Sequence, residues 1–243
     1  MLPPMNRIMA ALALCAATAV AGVSPACAAE RLYSVTDFDR VLIEGPFTVR
    51  LATGRSSSAS ATGSQQALDR VSIDVQGRTL RIRANRSAWG GYPGAAAGPV
   101  AIDISTRDLR AASVTGAGQL AIDRAGGLRL DLAVSGPGRI AVPAIAADTL
   151  TIALIGSGRI EIGGTAQEVR ANVHGWAELD AGSLRTQGIT LVTDTAGRVT
   201  VGAERQATVT ASGLGEVEII GSPACRVRGP SAAQVRCGRP ARR

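Results

Sequence analysis

The sequence predicts an all-β protein: a β-solenoid, or single-stranded β-helix, with about 20 residues per coil and N-terminal β-strands capping the stack. Three observations predict it. Six related phrases follow one another: VTGAGQLAI, VSGPGRIAV, LIGSGRIEI, VHGWAELDA, TDTAGRVTV and ASGLGEVEI. Their turn residues are Gly116, Gly136, Gly156, Gly175, Thr195 and Gly213, at steps of 20, 20, 19, 20 and 18. Apolar residues alternate on both sides of each turn, as in Leu130, Leu132 and Val134 before it and Ile140 and Val142 after it. That period of two buries one face of a strand and wets the other. Finally, 46% of residues are hydrophobic but only 2% are aromatic, while 29 are glycine. Small aliphatics and glycine suit thin stacked layers better than one thick interior.

Each element of the repeat has a physical reason. A single coil buries too few aliphatics to offset the backbone entropy of ordering it, so coils must stack and share hydrogen bonds. The corner glycine reaches positive φ without steric cost, and a G-x-G corner lets neighbouring corners approach closely. A phosphate-cradling loop would need a helix or a lysine after the turn, and no copy has either. The residue after each turn is Gln119, Arg139, Arg159, Glu178, Arg198 or Glu216, which stacking would turn into a mixed-sign surface column. A degenerate seventh turn begins at Gly229.

Upstream, residues 38–51 (FDRVLIEGPFTVRL) read as two strands around Gly45-Pro46. Residues 71–84 (VSIDVQGRTLRIRA) read as two more around Gln76-Gly77, and VAIDIS follows at Val100. These strands start and cap the stack, because an exposed solenoid end invites edge pairing. Residues 56–66 are a polar loop, and residues 85–99 (NRSAWGGYPGAAAGP) a longer glycine-rich one.

The first 28 residues form a cleavable signal peptide. Arg7 supplies the positive region, residues 8–23 the apolar run, and Ala26-Cys27-Ala28 the small residues before the cut. Lipoprotein anchoring at Cys27 is disfavoured, since the residues before it fit a lipobox poorly. No later run is long enough to span a membrane. Cys15 and Cys27 leave with the signal, and the remaining pair, Cys225 and Cys237, forms a disulfide that staples the last coil in an oxidising compartment. Two cysteines and one distant histidine are a poor ligand set, so neither a metal nor another cofactor is expected.

The net charge of +7 does not signal nucleic-acid binding. All 26 cations are arginine. Arg7 lies in the signal, and Arg226, Arg228, Arg236, Arg239, Arg242 and Arg243 lie in the last coil and tail. The remaining arginines equal the 19 acids, so the body is neutral. The basic tail, residues 239–243, is suited only to weak contact with an anionic surface.

Residues with chemistry to offer are few. His174 is the only histidine and occupies a corner position where two other coils carry serine, Ser135 and Ser212. Trp176 stands two residues on, at the tip of the corner, where an indole can stack on a sugar ring. Trp89 and Tyr92 share the glycine-rich loop and form the other candidate contact patch. A carbohydrate-active enzyme would need gathered carboxylates. Asp123, Asp131, Asp148, Glu161, Glu168, Glu178 and Asp180 read as scattered, so no catalytic residues are assigned.

The phrases FDRVLIEGPFTVRLATG and GRTLRIRAN, with the SGxG turns between Gly116 and Gly215, resemble the bacterial family called putative auto-transporter adhesin, head GIN domain. The resemblance covers nearly the whole mature chain. It implies an exported, repetitive β-helical protein with no catalytic residues to carry over. The chain departs from the pattern at His174-Gly175-Trp176-Ala177, Thr195-Ala196-Gly197 and Gly229-Pro230-Ser231. The expected organisation is a signal peptide (1–28), an N-terminal β region (29–104), solenoid coils (105–238) and a basic tail (239–243). The expected role is a non-catalytic, adhesin-like module in the periplasm or at the cell surface, binding an envelope protein or glycan. A purely structural envelope scaffold is the alternative. Export predicts a mature chain beginning at Ala29, which intact-mass measurement of the exported protein checks.

Overall fold

A computed structural model describes residues 29–85 and 98–239. The expected signal peptide (1–28), residues 86–97 with Trp89 and Tyr92, and residues 240–243 lie outside the described residues. The predicted β-solenoid is present. Three long strands, β11 (Arg139–Gly156), β12 (Arg159–Gly175) and β13 (Glu178–Thr195), each run most of the way around one coil. They pair in parallel, residue on equivalent residue: Ile140 faces Ile160, which faces Leu179, and Leu154 faces Val173. Irregularities between Val142 and Ile145 and between Glu161 and Gly163 bend the strands, giving each coil three sides. In the β11 coil the sides are residues 139–142, 145–147 and 149–156.

β10 (Ala125–Ser135) stacks below β11. Above β13 the coils break into short strands, β14 (Val199–Gly202) with β15 (Gln206–Ala211), then β16 (Val217–Ile220) with β17 (Ala224–Arg228), and lastly β18 (Val235–Arg239). The core is a set of columns along the stack. One runs Val114, Val134, Leu154, Val173, all fully buried.

The corners explain the glycines. Gly156 has φ near +106°, open only to glycine at little cost. Gly158 serves a different purpose: an added Cβ would fall 2.6 Å from Val134 Cγ1 and 2.8 Å from the carbonyl oxygens of Gly136 and Gly138. The coil below leaves no room for a methyl group. Where the phrase becomes Thr195-Ala196-Gly197, no positive φ is needed. The buried Thr195 hydroxyl donates to the Gly175 carbonyl at 2.9 Å and accepts from the Gly197 amide at 2.9 Å. A side chain thus ties the corner.

The N-terminal strands start and cap the stack as expected, but four of them enter it as parallel strands, and residues 58–63 of the expected polar loop form a strand because Ala59 and Ala61 are buried. β2 (Arg40–Glu44) and β3 (Thr48–Thr53) flank the Gly45 corner. β6 (Thr79–Ala84) and β7 (Ala101–Thr106) form one adjacent coil, and β8 (Ala111–Thr115) with β9 (Gln119–Ile122) the other. β2 pairs in parallel with β6 and β8, and β3 with β7 and β9. The first coil in sequence is therefore the second in space. The cap proper is antiparallel: β5 (Val71–Gln76) on β6, β4 (Ser58–Gly63) on β7, and β1 (Ala29–Tyr33) on β4. Between β4 and β5, helix α1 (Gln65–Asp69) starts at Ser64, whose hydroxyl accepts from the Ala67 amide. It buries Leu68 in the end of the core, and the Arg31–Asp69 ion pair at 2.6 Å ties it to β1. Antiparallel pairing and a helix end the parallel ladder at this side.

At the other end the predicted Cys225–Cys237 disulfide links β17 to β18. Cys225 is half-buried and Cys237 exposed, because no further coil covers them among the described residues.

Two stability predictions follow from this packing. Gly158→Ala should cost about 1–3 kcal/mol by overpacking the corner, whereas Ser157→Ala at the exposed tip should stay within about 0.5 kcal/mol; urea denaturation checks both. Cys225→Ser opens a crosslink spanning 12 positions. Loop-closure entropy puts its loss near 3 kcal/mol, and in a stack of near-neighbour units it should remain local. Faster amide exchange confined to β17 and β18 is the expected outcome.

Candidate functional surface

The three sides of the solenoid differ in chemistry. On the side containing residues 149–156, one outward column runs Ser113, Ala133, Ala153, Asn172, Val192, Thr210. It is flat, small and uncharged. The neighbouring column runs Thr115, Ser135, Ile155, His174, Asp194. Register therefore places His174 between an exposed isoleucine and an aspartate. The aspartate neighbour is not visible from sequence distance, since Asp194 lies one full coil away. Among the described residues no hydrogen bond joins the two side chains, and the hydroxyl of Ser212, which follows opposite Asp194 in the next coil, is bonded to the Thr193 carbonyl at 3.3 Å.

Trp176 projects from the corner next to this side and is 77% exposed, while its amide donates to the Gly156 carbonyl at 2.8 Å. The same corner position holds exposed Pro137, Ser157, Ala196 and Leu214 in other coils. Of the six large hydrophobic residues exposed among the described residues, Ile155, Trp176, Val192 and Leu214 all lie on this side or its corner. The structure thus brings His174 and Trp176 together on one surface. It adds Ile155 and Leu214, which the sequence reading did not single out. Comparing the middle letter of each G-x-G phrase down the repeat would have revealed the apolar tip.

The side containing residues 139–142 is charged. The expected column of Gln119, Arg139, Arg159, Glu178, Arg198 and Glu216 is formed by the register. Arg139 reaches Glu161 at 2.9 Å, Arg159 bridges Glu161 and Glu178, and Glu216 accepts Arg236 at 2.6 Å. One sequence expectation needs correcting here: the acids are not all scattered. Glu161 and Asp180 occupy one register position on adjacent strands, because stacking joins residues 19 apart. Glu161 is nevertheless held between two arginines and serves the surface lattice. Such exposed pairs contribute little stability individually. Nearer the cap, Arg50 donates through Nε to Asp103 at 2.8 Å, and this bond holds its guanidinium above the ordinary arginine range.

Among the described residues, no three His, Cys, Asp or Glu side chains gather as a metal-ligand set. No described helix is long and apolar enough to cross a membrane.

The comparisons with known proteins agree with the fold. The sequence model of the family described as "Putative auto-transporter adhesin, head GIN domain" matches residues 37–223. A putative adhesin from Bacteroides fragilis superposes with a TM-score of 0.73 at 18% identity, covering 83% of this chain and 94% of that one. A putative lipid binding protein from Parabacteroides distasonis gives 0.67 at 20% identity, with coverages of 83% and 94%. A putative adhesin from the same species gives 0.61 at 21%, covering 87% and 95%. At these identities the likeness speaks for the fold. No functionally curated protein matches the chain.

Proposed function

The chain belongs to the family described as "Putative auto-transporter adhesin, head GIN domain", and from that premise we propose that it is an exported, non-catalytic binding module of the bacterial cell envelope. The observation that carries this reading is the exposed Trp176 at a corner beside a strip of small and uncharged side chains, Ala133, Ala153, Asn172 and Val192. An indole held out on a rigid scaffold loses little entropy on contact, and aromatic anchors of this kind dominate binding surfaces. His174 offers a polar contact next to it, and the adjacent small side chains allow close approach by a flat partner. Trp89 and Tyr92 are proposed as a second contact, carried by the segment that links β6 to β7. The signal peptide read from the sequence and the disulfide support export to the periplasm or cell surface. The partner is an envelope protein or a glycan. Since one structural neighbour bears the name of a lipid-binding protein, vesicles belong in the same test.

The mature protein, immobilised and exposed to envelope extract, a glycan panel and anionic vesicles, should retain a partner. Trp176→Ala should reduce that retention at least tenfold with an unchanged thermal transition, and the Trp89→Ala/Tyr92→Ala double variant should reduce it further. A purely structural scaffold would be indifferent to all three substitutions.

A further inference from the structure

A cavity of about 830 Å³ lies on the charged side near the cap, away from Trp176. Its size falls within the range of small-ligand pockets. Five adjacent strands supply the floor and rim. At one outward register position they present Ser60, Asp103, Arg50, Ala121 and Ala141, and Glu161 follows. Polar side chains fill this position on either side, but for two successive coils it falls to alanine. The two methyl groups, extended by Pro143, make a flat apolar floor. The loop at residues 54–57 stands over it.

The rim is polar and already ordered. Arg50 and Asp103 form a two-bond pair at 2.8 and 3.4 Å. The Ser58 and Ser105 hydroxyls lie 2.7 Å apart, and Ser105 donates to the Ser56 carbonyl at 2.6 Å. Asp123 accepts from the Thr53 amide at 3.0 Å and the Arg124 amide at 2.6 Å. The exception is Arg55. It lines the cavity, is exposed, and forms no ion pair among the described residues.

We infer that this cleft binds an acidic saccharide. A pyranose ring has an apolar C–H face and a periphery of hydroxyls that donate and accept. The alanine floor fits the first, and the mixed donors and acceptors of the rim fit the second. A ring carboxylate then meets the one uncompensated cation, Arg55, whose planar fork matches it bidentately. An acyl chain or aromatic guest fits less well, because it would desolvate the Arg55 guanidinium without giving it a partner. With no aromatic platform beneath the ring, affinity at a single site is modest, as suits a surface that gains strength through repeated contacts. This site is separate from the Trp176 corner and extends the binding reading to a defined ligand class.

The test uses the mature, disulfide-bonded protein and calorimetric titration. The probes are oligogalacturonate, a glucuronate-containing tetrasaccharide and sialyllactose, with cellotetraose and inorganic sulfate as controls. At least one acidic saccharide should bind at least tenfold more tightly than cellotetraose. Arg55→Gln, an exposed loop change, should weaken that binding at least tenfold, and Ala141→Phe should abolish it by filling the floor. Trp176→Ala should leave it unchanged, so this site and the corner fail independently. Binding of no acidic saccharide, equal binding of the neutral one, full displacement by sulfate at matched ionic strength, or indifference to Arg55→Gln would each overturn the inference.

Discussion

From β8 onward each coil is fastened to the next by a backbone ladder in which strand residues face their equivalents about one repeat away, and the ladder closes only if the corners lie flat on one another. That requirement falls on a single atom. At Gly158 a Cβ would enter the van der Waals shells of Val134 and of two carbonyl oxygens in the coil beneath. The same crowding recurs at Gly138 and Gly215. With the corners flat, the aliphatic columns align and neighbouring coils share the hydrogen bonds that no coil could make alone.

The departures from the repeat follow from the same constraint. Thr195 satisfies the corner with its hydroxyl in place of an unusual φ. Trp176 is tolerated because the middle residue of G-x-G points outward, away from the stack. That position is sterically free in every coil, so variation there alters surface chemistry without touching the fold. The ends obey a different rule. A parallel ladder exposes unpaired backbone at its last strand, and here β5, β4 and β1 turn antiparallel while α1 inserts Leu68 to close the cap.

The same regularity divides the surface by chemistry. One outward column gives the arginine–glutamate lattice, and another gives an uncharged strip of Ala, Ser, Asn, Val and Thr. The two proposed contact areas lie where a column breaks its own pattern: alanine interrupting charge at Ala121 and Ala141, and an indole among small residues at Trp176. A solenoid built for register supplies binding sites by such local substitutions, since the scaffold already holds them rigid.

The coil length, the inward residues, the two roles of the corner glycines, the disulfide pair and the mixed-charge column were all legible in the chain, because each is a local or strictly periodic property. His174 and Trp176 were legible as exceptions to the period. The position of β2 and β3 between two later coils was not, because parallel pairing depends on which edges meet in space and not on chain order. The proximity of His174 to Asp194, the alignment of Glu161 with Asp180, and the alanine floor beside Arg55 were likewise decided only by the tertiary structure. They arise from residues a full coil or more apart, which the ladder register alone brings side by side.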